Sequence, residues 1–157
     1  MLKLNNISTI GIDTKTEKFD ICNENGAEFS VSPMENDLNN KIAQYTQGND
    51  LDVVIDFVSS KSSLELGASI LGKGGRLVTL GGSGEQFLAN SADMLVKELE
   101  LIGSRYCTKQ ELKESLDLYA RGLIKPLVSH KTDINGAEEL HNKIETGDIT
   151  GRAGILI

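Results

Sequence analysis

Tryptophan is absent from this sequence, and its 157 residues include only two cysteines and two prolines. Cys22 and Cys107 stand far apart and make no disulfide framework, so a reducing cytoplasm is the expected setting. No window approaches the ~18 apolar residues that a membrane span needs. The N-terminal run Met1-Leu2-Lys3-Leu4-Asn5-Asn6 is too short and polar for a signal peptide. Basic residues are outnumbered, 16 against 23 acidic ones, for a formal charge of −7. That balance excludes a nucleic-acid surface, because no basic block is present to neutralise a run of phosphates. No repeat, low-complexity tract or long linker breaks the chain. What remains is 39% hydrophobic and 25% charged, an ordinary globular composition with length for one core.

Short β-rich runs alternate with amphipathic stretches along the chain. Ile7 to Ile12 reads as a strand closed by Asp13, with Thr14 and Glu17 spaced as a capping box for a helix that Gly26 stops. Glu28 to Val31 reads as a weak strand, and Leu38, Ile42 and Tyr45 share one helical stripe. Leu51 to Val58 has the near-continuous apolar character of a strand buried on both faces. Ser62 and Glu65 suggest a second capping box, Leu64, Ala68 and Leu71 a buried helical face, and Gly72, Gly74 and Gly75 its end. Arg76 to Leu80 and Leu99 to Gly103 are the next strands. Thr108 and Glu111 suggest a third box, with Leu112, Leu116, Tyr119 and Ala120 facing inward. A last unit runs through Leu127-Val128-Ser129, a helix from about Gly136 to Thr146, and Arg152 to Ile157. Strands alternating with helices of this size predict right-handed crossovers and a doubly wound parallel α/β sheet.

In such sheets ligands sit beyond the carboxyl ends of the strands, so the residues there carry the functional question. Asp13 could accept both hydroxyls of an adenosine ribose, or could simply be an acid favoured by a helix dipole. A carboxylate here repels a 2′-phosphate, which favours NAD over NADP as any dinucleotide. Lys18 lies five residues on, either near that ribose or as a solvated helix lysine. Gly81-Gly82-Ser83-Gly84 after the strand ending at Leu80 would let a flat ring or pyrophosphate approach the backbone, or would be a flexible turn. Val58-Ser59-Ser60 holds the equivalent place one strand earlier. Arg152 could clamp a phosphate in bidentate fashion, or be a surface charge. His130 and His141, with the two cysteines, show no metal-ligand spacing, and no serine sits in a G-x-S-x-G elbow.

Taken together these segments resemble the C-terminal part of the medium-chain, zinc-type alcohol dehydrogenases. Ile10-Gly11-Ile12-Asp13 is similar to the family's second Rossmann strand with its ribose acid, and Asn25-Gly26-Ala27 to its "LGA" turn. Asp52-Val53-Val54-Ile55-Asp56 resembles its fourth strand, and Leu71-Gly72-Lys73-Gly74-Gly75-Arg76-Leu77-Val78 its fifth. Gly122-Leu123-Ile124-Lys125-Pro126 and Gly151-Arg152-Ala153 resemble its "G-x-I-K-P" and closing "GRAV". The resemblance implies that Asp13 and Lys18 hold the adenosine ribose and Arg152 the pyrophosphate. It also implies that Leu80, Ser104 and Tyr106 offer backbone groups to the nicotinamide carboxamide; Val58, Gly81 and Gly82 are cofactor-binding candidates by their place after the strands. It implies a partial NAD-binding domain over 1–107 and, over 108–157, a segment that packs on the catalytic domain. Residues 84–103 would contribute to a dimer interface.

The family's zinc ligands, proton relay, glycine-rich phosphate loop and first strand would all lie upstream of Met1. No catalytic residue carries over to any position here. Because the first Rossmann strand lies between the second and fourth, its loss would leave a gap of about 10 Å, two inter-strand spacings. The expectation is therefore an NAD-dependent oxidoreductase part, inactive alone, that self-associates or pairs with a separate N-terminal catalytic half. An S-adenosylmethionine-dependent methyltransferase shares the acid and the Gly-Gly turn, and a non-catalytic nucleotide-binding or subunit-interaction remnant is a third reading.

Overall fold

The computed structural model describes residues 2–157; Met1, the first residue of the polar N-terminal run, lies outside them. The chain divides into two compact units, one of residues 10–16 and 29–106, the other of residues 2–9, 17–28 and 107–157.

In the first unit, β1 (Ile10–Ile12) pairs in parallel with β2 (Phe29–Val31). A second parallel sheet has the order β3 (Leu51–Asp56), β4 (Leu71–Thr79), β5 (Glu100–Gly103). The connections are α2 (Leu38–Tyr45), α3 (Lys61–Ile70) and α4 (Ser91–Lys97), the last of which the apolar pattern did not mark. This is the Rossmann-like α/β arrangement the alternation predicts, with parallel strands joined through helices. Among the described residues no strand joins its two sheets, as in a truncated doubly wound sheet.

Two apolar clusters hold the unit. Val31, Leu38 and Ile42 pack with Ile10, Phe29, Leu51, Leu66 and Ile70, and Tyr45 stacks on Phe29 at 5.2 Å. Leu64, Leu71 and Leu77 pack with Val54, Ala68, Phe87 and Leu99. Leu71 and Leu77 are each 2% exposed, so this second cluster is the driest part of the fold.

Several boundaries depart from the sequence reading. β1 starts at Ile10 and not Ile7, and β3 ends at Asp56, leaving Phe57 and Val58 exposed. β3 is not buried on both faces: Val53 and Ile55 are 45% and 40% exposed, because β3 is an edge strand covered by α3 on its other side. Gly72, Gly74 and Gly75 do not end a helix but lie inside β4, which bulges so that Leu51 faces Leu71 while Val53 faces Arg76. The cap of α3 is Ser60, whose hydroxyl accepts from the Ser63 amide at 3.2 Å, and not Ser62 with Glu65. Serine offers the shorter reach, while Glu65 accepts from the Leu88 amide at 3.1 Å.

The second unit contains α1 (Phe19–Glu24), α5 (Lys109–Ala120), β6 (Val128–Thr132), α6 (Ala137–Glu145) and β7 (Arg152–Ile155). β6 and β7 form a parallel pair beside α6, whose Leu140 is buried. Gly26, at φ +110°, takes the left-handed turn just after α1. The Thr14–Glu17 box does not form; α1 begins only after a 3₁₀ turn over Thr16–Lys18, with no side-chain cap. Asp13 supplies the local acceptor instead, taking the Lys15 amide at 2.9 Å. The Thr108–Glu111 box does form: the Thr108 hydroxyl accepts from the Glu111 amide at 3.2 Å, and the carboxylate accepts from the Thr108 amide at 2.6 Å. Those donors, the Thr108 amide first and its hydroxyl second, hold the Glu111 carboxyl below the ordinary glutamate value. The stripe of Leu112, Leu116 and Tyr119 does not face inward; these residues are 51%, 57% and 56% exposed. Ala120 is exposed as well.

Candidate functional site

The carboxyl ends of β3, β4 and β5 lie side by side because the three strands are parallel and in register, Asp56 beside Thr79 and Thr79 beside Gly103. The Leu80 amide donates to the Asp56 carbonyl and the Ser104 amide to the Thr79 carbonyl, both at 2.9 Å. Those two amides thus continue the ladder, and what the backbone of Leu80 and Ser104 has left to offer a ligand is the carbonyl oxygens.

Gly81 is set directly against the preceding strand. A Cβ there would lie 2.6 Å from the Val58 carbonyl oxygen and 2.8 Å from the Ser59 hydroxyl, so only glycine fits. Gly82 meets nothing within 4 Å and borders open space. Val58, Leu80, Gly81, Gly82 and Ser104 are therefore brought to one edge. Tyr106 follows at φ +60° and is 85% exposed, with the Arg105 guanidinium 4.5 Å over its ring and donating to its hydroxyl at 2.8 Å.

Asp13 stands at the carboxyl end of β1, half-buried, its amide donating to the Val31 carbonyl at 3.4 Å. It belongs to the same unit as the β3–β5 edge but to the other sheet. Lys18 and Arg152 belong to the second unit, Lys18 at the end of the 3₁₀ turn and Arg152 opening β7.

The sequence reading passed over the group that shapes this edge. Asp56 is buried; its Oδ1 accepts from the Val58 and Ser59 amides at 2.8 and 2.9 Å, and its Oδ2 from the Ser63 hydroxyl at 2.7 Å. A buried carboxylate needs such donors, and here they fold the chain after β3 into a fixed turn. Ser59, at φ +55°, shares a hydrogen bond with the Thr79 hydroxyl, and the Ser83 hydroxyl donates to the Ser59 carbonyl. Together they latch the turn after β3 to the Gly81–Gly82 loop. An acid ending a strand, followed by serines three and seven residues on, was the available signal.

Among the described residues no three His, Cys, Asp or Glu side chains gather to hold a metal ion. The donor set of the described residues thus does not fit a zinc site. Two grooves among the described residues lie away from the carboxyl ends of β3, β4 and β5. One, within the second unit, runs along α5 past Leu4, Lys113, Asp117 and Leu118; the other, within the first, lies by Phe29, Lys41 and Tyr45. No helix among the described residues is long and apolar enough to cross a membrane.

Comparison with known proteins agrees with this architecture. An NAD-dependent alcohol dehydrogenase of Sulfurisphaera tokodaii is 26% identical over 143 residues, which cover 91% of this chain and 41% of that protein. A D-arabinose 1-dehydrogenase (NADP(+)) of Saccharolobus solfataricus is also 26% identical, over 95% of this chain and 42% of its own. The crystal structure of the alcohol dehydrogenase from Aeropyrum pernix superposes with a TM-score of 0.87 at 26% identity, over 97% of this chain and 44% of that one. The chain thus spans about two fifths of the length of the relatives it matches. The family model described as zinc-binding dehydrogenase matches residues 1–121, and the chain belongs to that family.

Proposed function

We propose that this chain is the cofactor-binding part of an NAD-dependent alcohol dehydrogenase-like oxidoreductase, inactive without further polypeptide. The observation that carries this reading is Asp13. It is a half-buried carboxylate at the carboxyl end of a parallel strand, where Rossmann folds bind the adenosine ribose. One of its oxygens takes the Lys15 amide, which orients the group. The same carboxylate disfavours a 2′-phosphate by charge repulsion, so NAD is preferred over the NADP named for the arabinose dehydrogenase.

The remaining positions follow from this assignment. Lys18 would share the ribose and Arg152 the pyrophosphate; Val58, Gly81 and Gly82 would flank the nicotinamide half. Leu80, Ser104 and Tyr106 would present backbone groups to the carboxamide. The open space beside Gly82 and the latched turn after β3 suit a flat ring lying against backbone. NAD, when bound, supplies the hydride acceptor, while this chain's residues bind and orient. Residues 1–107 would form the NAD-binding part and 108–157 the segment that packs on a catalytic domain, in a cytoplasmic protein. The alcohol site and zinc would come from polypeptide outside residues 1–157, and the expected partner is either a further copy of the chain or a separate N-terminal catalytic half.

Calorimetric titration of the chain with NAD, NADP and S-adenosylmethionine tests the reading. NAD is expected to bind, NADP at least tenfold more weakly, and Asp13→Ala is expected to weaken NAD by about 10- to 100-fold, the range for losing charge-assisted hydrogen bonds. No turnover is expected when zinc and simple alcohols are added to the chain alone. Preferential binding of S-adenosylmethionine, or an affinity for NAD unchanged in Asp13→Ala, would sink the assignment.

A further inference from the structure

Ser59 is held from three sides. It is buried, and its backbone sits at φ +55°, in the left-handed region that residues with a side chain seldom adopt. All three of its hydrogen-bonding groups are engaged. The amide donates to Asp56 Oδ1 at 2.9 Å, the carbonyl accepts from the Ser83 hydroxyl, and the hydroxyl is paired with that of Thr79. A non-glycine residue persists in this conformation only where its surroundings over-determine it. Here β3, β4 and the loop after β4 each supply one of the partners.

The neighbouring backbone inherits this order. Gly81 lies against Val58 and Ser59 with no room for a Cβ, so the loop after β4 rests directly on the turn that Ser59 shapes. The same loop is tied to α3 by two further bonds, from the Lys61 amide to Glu85 at 2.7 Å and from the Leu88 amide to Glu65 at 3.1 Å. Both of those are exposed, and water can replace either partner. The bonds of Ser59 to Thr79 and Ser83 are part-buried, where an abandoned polar group pays the cost of desolvation. The hydroxyls of Thr79 and Ser83 are therefore the stronger hold. Neither takes part in the sheet, because Thr79 pairs with Asp56 and Gly103 through its backbone.

We propose, on the reading that this chain binds NAD, that Thr79 and Ser83 are positioning residues for the nicotinamide half of the dinucleotide. They touch no cofactor. Acting through Ser59, their hydroxyls fix the Val58 backbone relative to Gly81 and Gly82, the surface against which the ring lies. The adenosine half has no share in the effect, since Asp13 belongs to the other sheet and is oriented by its own bond from the Lys15 amide. A role in folding alone would weaken both halves together.

Calorimetric titration of the full 157-residue chain with NADH and with ADP-ribose, which lacks only the nicotinamide, separates the two roles. Thr79→Val keeps the shape of the side chain and removes the hydroxyl, Thr79→Ser restores the hydroxyl, and Ser83→Ala acts at an exposed position that core packing does not need. NADH is expected to bind about five- to tenfold more weakly in Thr79→Val and in Ser83→Ala, the range for one lost hydrogen bond, with ADP-ribose within about twofold of the parent. Thr79→Ser is expected to bind both ligands as the parent does. An unchanged NADH affinity in Ser83→Ala, or an equal loss of the two ligands there, would overturn the proposal. So would a Thr79→Ser chain as weak for NADH as Thr79→Val, or a parent that binds ADP-ribose as tightly as NADH. In each of these cases the NAD reading survives; a parent that binds neither ligand would remove that reading, and the positioning role with it.

Discussion

The layer of α3 on β4 and the exposed face of α5 differ in a way their sequences do not announce. Both carry apolar residues at helical spacing, Leu64 and Ala68 in one and Leu112, Leu116 and Tyr119 in the other. In the first, Leu64 closes on Leu71 and Leu77 and water is excluded. In the second, the stripe stays more than half exposed. A helical stripe states that a partner is wanted, while its burial depends on whether the partner is within reach.

Substitutions can break this comparison. Leu77→Ala should have the largest effect, a loss of about 3 kcal/mol measured by urea denaturation, since it opens a cavity in the driest cluster. A loss below about 1 kcal/mol would mean that the α3–β4 layer is loose. Next comes the start of α5, where Thr108→Ala should cost about 1 kcal/mol through the lost cap. The same cap makes a pH prediction. The Glu111 carboxyl is lowered in the folded chain, so its contribution is complete above the ordinary value of 4.5 and fades as pH falls through the lower folded value. Glu111→Gln should therefore be less stable than the parent above about pH 4.5 and should lack the parent's decline at lower pH; equal stability near neutrality would contradict this account. The smallest effect belongs to Leu116→Ala, within about 0.5 kcal/mol in this chain because the side chain is already in water. A large loss there would show that α5 is covered in solution and would erase the contrast.

The alternation of strands and helices was legible because it is local. Periods of two and 3.6 survive in the sequence, and α2, α6, β2 and the Thr108 cap lie where the pattern places them within a residue or two. The candidate site was half legible. Asp13 and the Gly81–Gly82 turn stand out as an acid and glycines just after apolar runs. The Asp56–Ser59–Ser63 latch did not, because its meaning rests on Thr79 and Ser83, twenty or more residues away.

The order of elements apart from α4, the cap of α5, the left-handed turn at Gly26 and the acid ending β1 were therefore determined by the sequence alone, since each rests on residues close to one another in the chain. The tertiary structure decided which faces are dry. It placed Gly72, Gly74 and Gly75 inside a bulged strand, exposed Val53 and Ile55 on an edge, left α5 bare, and divided the strands into separate sheets. Burial and strand pairing are relations between distant segments, and a pattern that asks for a neighbour does not contain one.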